Sequence, residues 1–223
     1  MKFIYLLLSL IFFAGCAQNQ KEISLEYRPS GTITYQYDMN LKQLNIKGNL
    51  KTDYTQNNDL VNMNVEVESL SAESEDHQDL GYGEFVGQTY TRTYTKYGAS
   101  ADLDNVPKQI INMEVFVVEF PKTPVKVGSR WKSKKTAKPD MFFEFIDTDY
   151  TCTSVNDDVV MVKAVMNFVS SDKYSSQMKL TRKYEGEYTI NPKNGVVTHA
   201  KFYMDMFSGF SKLKGSFEIR MVQ

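Results

Sequence analysis

Two cysteines and two histidines among 223 residues leave little material for thiol or metal chemistry. His77 falls in a polar stretch and His199 at a polar position of a strand-like run, and neither has a Cys or His neighbour at ligand spacing, which argues against zinc. No glycine-rich phosphate loop, nucleophile elbow or kinase signature is present, and the acidic cluster Glu73–Asp76 lacks the spacing of a calcium loop. Formal net charge is −1, so no basic field exists to hold nucleic acid. The longest apolar run, Phe3–Phe13, is too short for a permanent transmembrane helix, which needs about 20 residues. These shortages point away from cofactor and metal enzymes, and no cofactor is expected.

What is present begins at the N-terminus, MKFIYLLLSLIFFAGC. Lys2 gives a positive end, Phe3–Phe13 an apolar core and Ala14-Gly15 a small-residue exit, the pattern of a secretory signal over residues 1–15. Cys16 directly after the small pair makes Phe13–Cys16 resemble a bacterial lipobox, although lipoboxes usually carry Leu where Phe13 stands. That resemblance implies a diacylglyceryl thioether on Cys16, palmitate-class acyl chains, export, and anchoring to the cell envelope, at the outer membrane. Several chains are needed because one alone holds a protein only weakly. Cys152 is then the single thiol of the mature chain; between Thr151 and Thr153 it reads as a small buried hydrophobe. Ala17–Ser24 is polar and aperiodic, so residues 16–24 are expected to form a lipidated end and short tether.

The remainder, 25–223, reads as one antiparallel β domain. Tyr and Phe, 14 each, join Val and Thr in the composition that strands prefer. Ile33, Tyr35, Tyr37 and Met39 alternate with polar residues, as do Val61, Met63, Val65 and Val67 beyond the Gln56–Asp59 turn. Gly48 interrupts the strand between them, as at a bulge or close approach. Ser71–Asp79 reads as an acidic loop. In Thr89–Tyr97 neither face is strongly apolar, which suits an edge strand or one lining a wet surface. Asp102–Asn112 is the one candidate helix, Glu114–Phe120 a buried strand, and Lys132–Pro139 an exposed basic loop that could meet anionic headgroups.

The C-terminal half alternates most regularly. Met178, Leu180, Tyr184, Tyr188 and Ile190 share one face; Phe202, Met204 and Met206, then Phe217 and Met221, continue it after turns at 191–195 and 208–209. The expected fold is therefore mainly β: one curved antiparallel meander or open half-barrel with at most one or two short helices. Its Met- and aromatic-rich face, formed by Met178, Leu180, Tyr184, Tyr188, Phe202, Met204, Met206, Phe217 and Met221, is the candidate site for an apolar or amphipathic ligand, since such side chains adapt to flexible apolar shapes. Core packing alone also accounts for them.

The stretch FVVEFPKTPVKVGSRW, Phe116–Trp131, and the later EGEYTINPKNGVVTHAKFYMDM resemble segments of uncharacterised secreted lipoproteins of Bacteroidota, over about Glu114–Met206. Those proteins usually carry an acidic residue where this chain has Ser129. The resemblance implies an envelope lipoprotein and brings no catalytic residues. A more distant likeness, of architecture alone, is to lipoprotein-carrier half-barrels that shelter acyl chains. The leading expectation is a non-catalytic, membrane-anchored binding lipoprotein. A structural or assembly lipoprotein acting through protein contact is the alternative, motivated by Thr89–Tyr97. An envelope glycan or peptide hydrolase using two carboxylates comes third.

Overall fold

The computed structural model describes residues 21–42, 44–74, 81–101, 115–137, 143–170, 180–208 and 211–222. Among these residues ten strands make a single antiparallel sheet: β1 (Gly31–Leu41), β2 (Leu44–Asn57), β3 (Leu60–Ser74), β4 (Thr89–Thr95), β5 (Arg130–Thr136), β6 (Phe143–Val155), β7 (Val160–Ser170), β8 (Leu180–Ile190), β9 (Val197–Ser208) and β10 (Ser211–Met221). The order β4-β3-β2-β1-β10-β9-β8-β7-β6-β5 places the first and last strands side by side at the centre. Two meanders, one of four strands and one of six, are thus joined by the β1–β10 ladder. Among the described residues the only helical element is a 3-10 turn, Tyr82–Phe85. The expected mainly-β, open antiparallel sheet is what the chain forms.

Alternation sets the two faces. Ile33, Tyr35 and Tyr37 of β1, Ile46 and Leu50 of β2, and Phe202, Phe217 and Ile219 of β9 and β10 are buried on the inner face. The outer face carries cross-strand ion pairs such as Lys163–Glu185 at 3.1 Å and Lys212–Asp205 at 3.3 Å, the ordinary polar complement of a half-wet sheet. In β3 the alternation changes phase: Val61 to Val67 point inward at odd positions, Leu70 and Ala72 at even ones. The register shift opposite Asn49/Leu50 supplies the reason, a bulge that adds one residue to β3. Gly48 lies beside it; a Cβ there would stand 2.6 Å from the Ser69 carbonyl. The phase change hides the end of the strand, so β3 continues through Ser74 where an acidic loop was expected from residue 71; residues 75–80 lie outside the described set.

Three other expectations are corrected. Lys132–Thr136 is not an exposed loop but most of β5, an edge strand paired with β6. Lys135 is 4 % exposed and donates to the Val117 carbonyl, while Lys132 pairs with Asp149 at 2.9 Å. A run of lysines reads as solvated, but alternation turns every second residue inward, and Lys135 falls on that side, where a carbonyl receives it. The Tyr90, Arg92 and Tyr94 side of β4 is fully buried, although β4 does stand at the sheet edge. Arg92 donates to Ser100 Oγ at 2.6 Å, so its cationic end is accommodated within the core. Residues 115–120, buried except for half-buried Glu119, belong to no strand. The candidate helix Asp102–Asn112 lies outside the described residues.

The N-terminal segment is also more structured than a tether. Ile23 exchanges backbone hydrogen bonds with Val125, at 2.9 and 2.8 Å, and Leu25 and Tyr27 are each 2 % exposed. Tyr27 N–H donates to the Lys96 carbonyl and Arg28 N–H to the Asn194 carbonyl, so residues 23–28 run across one end of the curled sheet. Tyr27 stands edge-on to Tyr54 and Tyr94 there. Full burial of Leu25 and Tyr27 is worth about 1.5–3 kcal/mol each relative to exposure.

Candidate functional site: a concave face crossed by its own strap

The concavity is built by convergence. Phe120 N–H donates to the Tyr97 carbonyl, just past β4, at 2.7 Å. Trp131 Nε1–H of β5 donates to the Glu119 carbonyl, also at 2.7 Å. The two terminal strands share no ladder, yet both reach the same short segment, so the sheet is curled with residues 115–120 strapped across its opening. A buried, irregular strap must satisfy its carbonyls without strand partners. Side chains do this: Tyr188 Oη–H donates to Val115 O at 2.9 Å, and Lys135 and Trp131 serve Val117 and Glu119. Gly98 permits the close passage, since a Cβ there would meet the Val118 carbonyl at 2.2 Å, and its φ of +80° suits glycine.

Apolar side chains of the strap fill the concave face. Phe116 sits edge-on to Tyr35 at 5.9 Å and stacks on Tyr37 at 6.2 Å. Phe202 packs between Tyr188, at 4.9 Å, and Phe217, at 5.1 Å. Burial pushes the Tyr35, Tyr54 and Tyr188 phenols well above the ordinary tyrosine value, so each remains a neutral hydrogen-bonding group at any working pH.

The predicted face residues divide accordingly. Tyr188, Phe202, Met204 and Phe217 are buried, at 1 %, 0 %, 3 % and 3 % exposure, beneath or beside the strap. Tyr184 and Met206 are half-buried, and Tyr184 touches Phe168 at 4.7 Å and Phe217 at 5.5 Å. Met221 is separated from the group: it is 38 % exposed at the opposite end of β10. Leu180 begins β8 opposite Ser208. Met178 and Cys16 lie outside the described residues.

Burial along the inner face is graded. At the end where β1 begins and β8 finishes, closed by residues 23–28, Ile190 and Ile219 are fully buried. At the other end, Met39, Leu41, Leu44, Tyr184, Met206 and Leu213 are only half-buried, although they belong to the inward series of the neighbouring strands β2, β1, β10, β9 and β8. Phe143 and Phe168 adjoin this mouth, with the Arg182 guanidinium 4.5 and 5.0 Å from their ring centres. The face expected from the sequence includes Tyr184 and Met206 of this surface and omits Leu213, Met39, Leu41 and Leu44. Their alternation was visible; that β1 lies against β10 was not.

A shallow concavity of about 580 Å³ on the outer face is bounded by Lys163, Glu185, Glu187, His199, Lys201 and Tyr203. Its carboxylates are engaged. The Lys163 and Lys183 ammonium groups hold Glu185 below the usual carboxylate range, the opposite of a general acid's requirement. Glu187 accepts from Thr153 at 3.3 Å. His199 Nε2 lies 2.7 Å from Glu218, whose carboxyl is likewise held low, chiefly by that hydrogen bond. Among the described residues no group of three His, Cys, Asp or Glu could hold a metal ion. Cys152 is 1 % exposed and burial raises its thiol pKa, so the thiolate form that reacts is disfavoured.

Fold and site together define a class: an open, curled antiparallel meander, plugged by an internal strap and graded from a sealed end to an apolar mouth. Residues 108–197 match the profile of a family of unknown function, DUF6263, which covers the strap and β5–β8. No curated protein matches the chain.

Proposed function

We propose that this protein is a non-catalytic lipoprotein of the cell envelope, held to the outer membrane by acyl chains on Cys16, that binds an apolar or amphipathic ligand at the mouth of its curled sheet. The carrying observation is the grading of the inner face: six apolar side chains on five adjacent strands remain half-buried at one end, while the strap fills the rest. Met39 and Met206 among them adapt to irregular acyl shapes. Because the deep face around Tyr188 and Phe202 is already filled, the ligand lies shallowly, as an acyl chain laid on the mouth rather than swallowed. The assembly reading draws less support: Thr93 and Thr95 at the β4 edge already exchange backbone hydrogen bonds with Ala99 and Ala101, which covers part of the edge that a partner strand would use.

Native mass spectrometry of protein taken from its own envelope tests the proposal. A mass exceeding the lipidated chain by one lipid is expected, and Met206→Asp should abolish it while leaving the unfolding midpoint within experimental error. Protein of the lipidated mass alone, under conditions that retain bound lipid on a known carrier, would refute the binding role.

A further inference from the structure

We infer that the sealed end of the curled sheet is a membrane-contact surface that rests on phospholipid headgroups, so that the apolar mouth faces away from the membrane holding the anchor. This orientation rests on the lipidation of Cys16 proposed above. Residues 17–20 separate Cys16 from Lys21, and Lys21 lies within at most about 18 Å of Cys16 along even a fully extended chain. Lys21 is already tied to the sealed end, through an ion pair with Asp157 in the β6–β7 turn. Two residues on, Ile23 is bonded to Val125, and Tyr27 and Arg28 to Lys96 and Asn194, all at that same end. The chain therefore leaves the domain at a defined place and cannot swing it freely. The other end is roughly 35–45 Å away, the length of an 11- to 14-residue strand.

The chemistry of the sealed end fits this partner. Leu60, Val127, Met221 and Val222, at 41, 45, 38 and 53 % exposure, are four of the seven exposed large apolar residues described, and all lie there. They sit in the β2–β3 turn, the 126–129 turn and the end of β10. Several nearby charges are paired within the chain: Lys126 with Glu22 at 2.9 Å, Lys96 with Asp59 at 3.0 Å, and Arg28 with Glu26. A surface of separate apolar tips among largely paired charges approaches headgroups without strong repulsion and places apolar side chains at their level. Val86, in the connection from β3 to β4 and next to Gly87, which bonds Val67 at the middle of β3, stands well away from that end; it is equally exposed, at 47 %, and serves as the comparison.

The test uses full-length lipidated protein in phosphatidylethanolamine–phosphatidylglycerol vesicles that contain a lipid spin-labelled on its headgroup. A fluorophore is attached to Val127→Cys, Leu60→Cys or Val86→Cys; Cys152 is buried, and unlabelled-site background is read from the wild type. Quenching should be several-fold stronger at positions 127 and 60 than at 86. Equal quenching at all three, or stronger quenching at 86, overturns the orientation. Flotation of the same vesicles separates the two ideas. Protein that floats with uniform quenching keeps its anchor and loses this surface, whereas protein that fails to float removes the anchor and the surface together.

Discussion

Tyr188→Phe deletes one oxygen from a fully buried ring and leaves its packing on Phe202 in place. What it removes is the 2.9 Å hydrogen bond to the Val115 carbonyl, one of the side-chain bonds that hold the strap in the sheet. Tyr188 and Val115 are 1 % and 5 % exposed, so water does not readily replace the lost donor. Leaving a buried acceptor unsatisfied costs about 1–3 kcal/mol. Small shifts of an irregular segment recover part of this, so about 1–2 kcal/mol is the expected loss. With a urea m-value of about 2 kcal/mol/M, the midpoint should fall by about 0.5–1 M with m unchanged. The single tryptophan makes the assay local, because Trp131 bonds the same strap at Glu119 and stacks on Tyr150 at 5.2 Å. Its emission should shift to the red in the variant if the strap loosens before the sheet unfolds. A midpoint lowered by less than about 0.2 M, with unaltered emission, would show that the strap does not depend on side-chain donors, and the account of how an unpaired segment is stabilised in the core would fail.

Gly98→Ala should be worse, by about 2–4 kcal/mol, since a methyl group 2.2 Å from the Val118 carbonyl adds overpacking to an unfavourable positive φ. Gly128→Ala, also at positive φ but with nothing within 4 Å, separates the two costs in thermal melts and should lose only about 1–2 kcal/mol. Glu218→Gln tests the outer-face cluster. A depressed carboxylate contributes stability above its unfolded pKa of about 4.3 and loses it as pH falls through the lower folded value, so the variant should be about 0.5 kcal/mol less stable at pH 7 and indistinguishable from wild type in strong acid. A deficit that persisted into acid would assign the effect to packing rather than charge.

Much of the sheet was legible because each strand of an antiparallel meander carries its own alternation and each tight turn its own chemistry. Asn156 Oδ1 accepts from Asp158 and Val159 N–H in the β6–β7 turn, and Asn191 Oδ1 from Lys193 N–H in the β8–β9 turn. The errors fell where a neighbour overrides the local pattern. A bulge reversed the faces of β3, a buried carbonyl took in Lys135, and Tyr90, Arg92 and Tyr94 were buried by the curl of the sheet rather than by any apolar period of their own. The run Val115–Phe120 was recognisably buried, but strand and strap have the same composition; what separates them is whether the bonding partners are ladder amides or side chains from β5 and β8.

By itself the sequence determined the class of structure, the turns, the inward series of the C-terminal strands, and the scarcity of groups able to do metal or thiol chemistry. These are local properties, written within a few residues. Only the tertiary structure decided that β1 meets β10, that residues 115–120 cross the concave face, and which end of that face is sealed and which left half-buried. Those outcomes depend on curvature summed over ten strands and on contacts between residues far apart in the chain, such as Tyr188 with Val115, and no short stretch of sequence encodes them.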